Sequence, residues 1–215
     1  MKILLIGGYG MLGRAFPKEI PRTMRETKGF DALEKEIRLR EPEYVINCSG
    51  IIGHKCKDIS ETLDINVALP IHLAKVCKDV GANLIQYSTF YEGNCLYTAS
   101  KRFMEEILLE MPRTSVIYLP TLFDEDFDIA HYNEKFHLAY TKDIADWTLN
   151  HLDTVDVFLC NEGYPERKEF INYVGRDFNK NSRNVKLFEE IDMYQLLEMR
   201  HWKEAVDEIR GTSLD

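Results

Sequence analysis

Short apolar runs alternate with amphipathic segments along the first half of the chain. The apolar runs predict strands at Lys2–Ile6, Tyr44–Gly50, Asn83–Thr89 and Ser115–Pro120, with a weaker one at Arg22–Glu26. Helical spacing predicts a short helix that ends near Pro17, a helix over Phe30–Glu41, a long helix from Ser60 to about Val80, and a helix over Tyr97–Met111. Ser60 and Glu61 could cap the long helix, and Pro70 should kink it. Strands separated by helices of this length imply an α/β fold with a doubly wound parallel sheet.

The second half of the chain is less regular. It predicts helices over Thr141–Leu152, around Arg167–Phe178 and near Met193–Arg210, with a strand at Val155–Cys160 and an acidic loop at Asp124–Asp128. The chain has no internal repeat and no low-complexity linker. We therefore expect residues 1–215 to form a single domain, to which residues 121–215 contribute a small C-terminal lobe.

Composition and charge narrow the classes of partner. The 215 residues are 45% hydrophobic and 29% charged, as in ordinary globular proteins, and carry a net charge of −9. A negative surface disfavours nucleic acid and anionic membranes. The five cysteines form no C-x-x-C pair, and no run is long enough for a signal peptide or a membrane span. We expect a cytoplasmic protein with reduced thiols.

A glycine-rich loop follows the first predicted strand directly. Gly7, Gly10 and Gly13 have the spacing G-x-x-G-x-x-G, with a strand before them and a helix after them. Such a loop lets the backbone approach a pyrophosphate, whereas the alternative is a tight turn without a ligand. The context favours a dinucleotide site, whose residues would be Gly7, Gly10, Met11, Leu12, Gly13 and Arg14.

The form of the dinucleotide is less well indicated. Glu26 lies about where an acidic residue would bind the ribose 2′-hydroxyl of NAD, so it is a candidate cofactor-binding residue. Arg14, Arg22 and Arg25 surround the same region and would accommodate a 2′-phosphate. The cofactor is therefore NADP or NAD, with a slight preference for NADP.

A tyrosine and a lysine lie one helical turn apart after the strand Asn83–Thr89. In "YTASK", Tyr97 and Lys101 share one helix face, and a nearby ammonium would stabilise the phenolate of a tyrosine that transfers protons. Ser88 and Thr89 end the preceding strand, where a hydroxyl could bind a substrate oxygen or merely begin a turn. The same spacing recurs in "YPERK", which we interpret as structural because it contains a proline and follows no such strand.

Together, "GGYGMLG", "VINCSG", "DINVALP", "LIQYST" and "YTASK" resemble the extended short-chain dehydrogenase/reductase superfamily, and within it the dTDP-4-dehydrorhamnose reductase-like branch. The resemblance covers about residues 1–120. It implies a Rossmann-type sheet, a C-terminal lobe that binds substrate, and an NAD(P)-dependent reductase or epimerase acting on a keto or hydroxyl carbon of a sugar. The sugar would be nucleotide-linked, and a homodimer is possible.

The resemblance also implies a role for each matched residue. The three glycines would hold the pyrophosphate, and Asn47 and Ser49 would lie beside the cofactor. Lys101 would hold the nicotinamide ribose next to Tyr97, the acid/base, and Asn66 would support the proton relay. Thr89, with Ser88 as the alternative, would bind the reacting oxygen.

Three departures from the branch affect the substrate more than the fold. Only seven residues separate Thr89 from Tyr97, Leu119 stands where an arginine is common, and the chain is short for the branch. A catalytically silent dinucleotide-binding regulatory or scaffold subunit is therefore the alternative, and an α/β domain without cofactor is a third. His54, Cys56 and His72 have no defensible ligand spacing, so we expect no metal site.

Overall fold

A seven-stranded sheet, parallel throughout, forms the centre of the computed structural model. The structure describes residues 1–23, 30–52, 55–56, 58–89, 95–124, 137–154, 157–162, 169, 173 and 196–212. The sheet contains β1 (Ile3–Ile6), β2 (Arg22–Thr23), β3 (Tyr44–Asn47), β4 (Asn83–Thr89), β5 (Thr114–Leu119), β8 (Val157–Glu162) and β9 (Leu196–His201). A separate parallel pair consists of β6 (Thr121–Phe123) and β7 (Leu138–Tyr140).

Helices cover both faces of the sheet. They are α1 (Met11–Ala15), α2 (Asp31–Arg40), α3 (Ile59–Leu63), α4 (Leu69–Val80), α5 (Leu96–Leu108), α6 (Thr141–Asn150) and α7 (Trp202–Thr212). Side chains alternate between the two faces with the period of two that a strand imposes. Leu4 and Ile6 join the core that contains residues of α2, α4 and α5, whereas Leu5 joins the core that contains residues of α1 and α6. The predicted doubly wound α/β fold is therefore confirmed.

The strand order β2-β1-β3-β4-β5-β8-β9 sets the position of the site. The chain moves from β1 to β2 on one side and then returns to β3 on the other side of β1, so β1 and β3 flank the point where the winding reverses. Parallel α/β sheets bind ligands beyond the carboxyl ends of the strands at this point. The glycine loop after β1 and residues 48–50 after β3 meet there.

The long helix predicted from Ser60 to Val80 is divided by a π-helical turn. Its N-cap is Asp58, not Ser60, because the Asp58 side chain accepts a hydrogen bond from the backbone N–H of Glu61 at 3.0 Å. The irregularity lies at Asp64–Ala68. This turn lies directly before Pro70, which is in the first turn of α4, and the kink expected at Pro70 stays a prediction.

The C-terminal prediction was wrong in its first half. Residues 196–201, predicted as helix, form β9 on the open edge of β8, and only Trp202–Thr212 are helical. Six residues of mixed polarity do not distinguish helix from strand by themselves, and pairing with β8 decides the state. The predicted helix at Arg167–Phe178 lies outside the described residues apart from Glu169 and Tyr173, and most of the acidic loop also lies outside them.

A third cluster of buried residues lies beyond the main sheet. It joins β6 and β7 to α7 through Phe123, Leu138, Tyr140, Trp202, Ala205, Val206 and Ile209. The division of the domain at residue 121 stays a prediction. β8 and β9 come after that point and extend the main sheet. No helix in the described ranges is long and apolar enough to cross a membrane.

Candidate active site

The glycine loop packs directly against the segment that follows β3. Gly7 has a φ of +71°, and a Cβ built on it would lie 2.5 Å from Ser49 Oγ and 2.8 Å from Ser49 N. A Cβ on Gly13 would lie 2.6 Å from the Cα of Gly8. Both positions therefore require glycine on steric grounds alone. A Cβ on Gly10 would meet nothing closer than 3.5 Å, so the protein itself leaves room above that residue.

The other predicted residues of the loop differ in their exposure. Leu12 is buried in the core, so only its backbone remains for a ligand, and Met11 begins α1. The Arg14 side chain is mostly exposed, with Nη2 3.4 Å from Asp124 Oδ2. Glu26 lies outside the described residues.

Arg22 contributes to the loop in a way that the sequence did not indicate. Its Nη1 donates to the carbonyl of Gly8 at 3.3 Å, and its Nη2 donates to the carbonyl of Pro17 at 2.6 Å. A Cβ on Gly8 would lie 2.5 Å from Arg22 Cβ. The Arg22 side chain therefore packs against the loop and binds carbonyl groups at the end of α1.

Buried hydrogen bonds connect the glycine loop side of the site to Lys101. Ser49 donates its N–H to Asn47 Oδ1 at 3.0 Å, and Asn47 Nδ2 donates to Gln86 Oε1 at 2.7 Å. The carbonyl of Tyr87 then accepts from Gln86 Nε2 at 2.8 Å and from Lys101 Nζ at 3.0 Å. The structure thus joins Asn47, Ser49 and Lys101, which the sequence predicted separately, through Gln86, which it did not predict.

Lys101 is buried at the end of β4. Burial lowers the pKa of its ammonium to about 8, and the charge of Glu105 opposes this effect. Tyr97 is half-buried one turn earlier on α5, and Thr89 is buried at the last position of β4. These three residues therefore lie on two neighbouring elements at one end of the strand.

Ser88 makes a different contact from the one its sequence position suggests. Its hydroxyl donates a short hydrogen bond to Glu105 Oε1 and is largely buried. With that proton committed to Glu105, Ser88 can offer a substrate oxygen no hydrogen bond. Glu105 was missed, although its place four residues after Lys101 on the same helix face was a usable signal.

Asn66 connects the loop after β3 to α5. Its Oδ1 accepts from the N–H of Ile51 at 2.8 Å, and its Nδ2 donates to the carbonyl of Ile51 at 3.0 Å and to Ser100 Oγ at 3.2 Å. The residue is fully buried in the π-helical turn. A Cβ on Gly50 would lie 3.7 Å from Lys101 Nζ and 3.8 Å from Asn66 Oδ1, so both polar atoms face the same backbone position.

One buried polar atom in this region lacks a protein partner. Ser49 Oγ has no hydrogen-bond partner in the described part of the chain, and it borders Gly7. A buried hydroxyl without a partner is costly unless another group binds it. Together with the space above Gly10, it fits a polar ligand at the ends of β1 and β3.

One cavity lies apart from this arrangement. A cavity of about 390 Å³ lies beside the amino-terminal end of β1 and is lined by residues that include Lys2, Glu19 and Arg40. None of the predicted site residues borders it. No group of three His, Cys, Asp or Glu side chains within the described ranges could hold a metal ion.

Part of the chain is similar to a known protein family. The model of the NAD dependent epimerase/dehydratase family matches residues 23–119. Among curated proteins, Actin-related protein 5 of Homo sapiens is 30% identical over 130 residues, which are 60% of this chain. The matched stretch spans only 19% of that relative's own length.

Several solved structures share the fold of this chain at low sequence identity. A dTDP-4-dehydrorhamnose reductase from Clostridium acetobutylicum is 19% identical, with 100% of both chains covered and a TM-score of 0.78. The dTDP-4-dehydrorhamnose reductase of Bacillus anthracis, in complex with NADP, is 16% identical, with 99% of both chains covered and a TM-score of 0.75. WbmG of Bordetella bronchiseptica, in complex with NAD, is 15% identical over 82% of this chain and 79% of its own, with a TM-score of 0.69.

These comparisons confirm the predicted fold and the likeness of part of the chain to an NAD-dependent family. Residues 23–119 match the NAD dependent epimerase/dehydratase family, and the whole chain has the fold of the dTDP-4-dehydrorhamnose reductases.

Proposed function

We propose that this protein is an NAD(P)-dependent reductase or epimerase that acts on a keto or hydroxyl carbon of a nucleotide-linked sugar. The observation that carries the proposal is the buried hydrogen-bonded connection from Ser49, beside the glycine loop, to Lys101, beside Tyr97. The Ser49 end of this connection fits a bound dinucleotide. The Lys101 end lies beside Tyr97, the candidate proton donor. The names of the similar structures, two dTDP-4-dehydrorhamnose reductases among them, supply the substrate class.

The residues present fit a dinucleotide at the ends of β1 and β3. Gly7 and Gly13 allow the close packing of the loop, Gly10 leaves room above it, and Ser49 Oγ offers an unused hydroxyl. A bound nicotinamide supplies or accepts a hydride at the substrate carbon. The exposed guanidinium of Arg14 supports the slight preference for NADP over NAD, because it can approach a 2′-phosphate.

In this proposal, residues at the end of β4 and on α5 carry out proton transfer. Thr89 donates a hydrogen bond to the reacting oxygen, and Tyr97 gives that oxygen a proton during reduction or takes one during oxidation. The Lys101 ammonium lies one turn away on α5 and stabilises the phenolate form of Tyr97. Asn66 holds the loop after β3 against α5 and so fixes the distance between the two halves of the site.

The test measures cofactor binding and turnover separately. Binding of NADPH and NADH is followed by fluorescence titration, and turnover is followed by nicotinamide oxidation with a panel of 4-keto sugar nucleotides. Epimerisation is followed by product analysis with sugar nucleotides. We expect Tyr97→Phe to lower kcat/KM by about 100-fold or more while cofactor affinity stays within about twofold.

Tyr44→Phe is the matched control. It removes a hydroxyl that binds Asp153. Tyr44 is the first residue of β3, at the end of the strand opposite to the candidate site. This variant should keep the parent turnover. A parent that binds the cofactor but converts no substrate would replace the proposal with a regulatory or scaffold subunit. A parent that binds neither dinucleotide would leave an α/β domain without cofactor.

A further inference from the structure

Glu105 is a largely buried acidic residue that contacts the candidate active site from the side of α5. Tyr97, Lys101 and Glu105 follow one another at intervals of four residues, so they share one face of the helix. The Glu105 carboxylate accepts a hydrogen bond from Ser88 on β4. It therefore contacts the residue directly before Thr89, on the strand that also binds Lys101.

The ammonium of Lys101 needs a compensating charge. Its hydrogen bond to the Tyr87 carbonyl satisfies one donor but brings no negative charge. Burial lowers the pKa of Lys101, whereas the charge of Glu105, and to a smaller extent the Cys56 thiol, raises it. Glu105 is thus the carboxylate that acts on the buried ammonium in the described part of the chain.

The carboxylate depends on the same neighbours. Burial raises the pKa of Glu105, while the Ser88 hydrogen bond and the charges of Lys101 and Arg102 lower it. Glu106 opposes them weakly. Each buried group therefore favours the charged form of the other.

We propose that Glu105 is a positioning residue of the site: its carboxylate keeps Lys101 charged and, through Ser88, fixes the end of β4 that carries Thr89. The consequence for catalysis rests on the proposed function. The interaction with Lys101 does not rest on it and can be measured in the protein without substrate.

Two variants separate the charge from the hydrogen bond. Glu105→Gln removes the charge but keeps an oxygen that can accept the proton of Ser88. Ser88→Ala removes the hydrogen bond but keeps the carboxylate. If the charge is what acts on Lys101, the first variant lowers the pKa of Lys101 by about one unit and the second changes it by much less.

The titration is followed by NMR on protein labelled with ¹³C at lysine Cε, and Lys101→Arg assigns the signal. Thermal unfolding establishes that each variant is folded. An unchanged Lys101 titration in Glu105→Gln, or an equal shift in both variants, would overturn the proposal. If Glu105→Gln does not fold, Glu105→Asp replaces it in the test, because the shorter side chain moves the carboxylate away from Lys101. It should lower the Lys101 pKa by less than one unit, and an unchanged value would overturn the proposal.

A second measurement tests the consequence for catalysis. In a parent that turns over substrate, the alkaline limit of kcat/KM should follow the loss of the Lys101 proton, and Glu105→Gln should move this limit to lower pH by the same shift that NMR gives. A changed rate with an unmoved limit would mean that Glu105 acts only on structure. A parent without turnover would refute the proposed function, while the NMR titration would still decide whether Glu105 holds Lys101 charged.

Discussion

Asn47 donates a hydrogen bond from Nδ2 to Oε1 of Gln86 at 2.7 Å, and both side chains are completely buried. The two residues are direct partners in the register of β3 and β4. Asn47 also accepts the N–H of Ser49, and Gln86 also donates to the carbonyl of Tyr87. This pair therefore joins the segment against which the glycine loop packs to the strand that binds Lys101.

Gln86→Leu should destabilise the protein by about 2 kcal/mol, because it leaves the buried Nδ2 of Asn47 without an acceptor. The Tyr87 carbonyl would still accept from Lys101, so it is not left unpaired. Urea unfolding of the parent, Gln86→Leu, Asn47→Leu and the double variant measures the interaction. We expect the double variant to lose less than the sum of the single losses, by about 1 kcal/mol. Additive losses would mean that the two side chains are not coupled.

Gly7→Ala should destabilise the protein more than Gly81→Ala and should also weaken cofactor binding. Both glycines have a positive φ, +71° and +79°, so alanine costs each about 1 kcal/mol of backbone strain. A Cβ on Gly81 meets no atom within 4 Å, whereas a Cβ on Gly7 meets Ser49. Overpacking should cost Gly7→Ala a further 1–3 kcal/mol, roughly. Equal losses in urea unfolding, with unchanged affinity for NADPH, would contradict this assignment.

The sequence predicted the parts of the site that depend on local pattern. The glycine loop, the spacing of Tyr97 and Lys101, and the strand Asn83–Thr89 are each encoded within a few consecutive residues. Glu105 was missed although its spacing from Lys101 on α5 was a usable signal. Gln86 was not predicted, because its role depends on Asn47, which is far from it in sequence. The helix predicted over residues 196–201 was wrong for the same reason, since only pairing with β8 makes this segment a strand.

Lys101→Met should stabilise the protein at pH 7 while removing turnover. Burial lowers the pKa of Lys101 from 10.5 to about 8, so the folded protein carries an unfavourable buried charge below pH 8, which costs about 3 kcal/mol. Loss of the hydrogen bond to Tyr87 leaves a net gain of about 2 kcal/mol.

The pH dependence gives this prediction its sign. Between pH 8 and 10.5 the unfolded parent still binds the Lys101 proton and the folded parent has lost it, so the free energy of unfolding of the parent rises with pH. The advantage of Lys101→Met should therefore be largest at pH 7 and shrink towards pH 10.5. Urea unfolding of the parent and Lys101→Met at pH 7 and at pH 10.5 measures the change. The same difference in stability at both pH values would contradict the assignment of the low pKa to Lys101.

Arg200→Met should destabilise the C-terminal part of the sheet by about 3 kcal/mol, because it leaves the largely buried Asp143 carboxylate without its cationic partner. Arg200 on β9 binds Asp143 at 2.7 Å and Glu208 at 2.6 Å, and the Asp143 side chain is only 11% exposed. Lys142→Met is the matched control, since Lys142 also pairs with Glu208 but its side chain is 51% exposed. An exposed pair contributes less than about 1 kcal/mol, so the control should lose little. Urea unfolding of both variants in low and high salt measures the difference. If the two losses were equal, or if salt removed the effect of Arg200→Met, the bond between β9 and α6 would be only a screened surface contact.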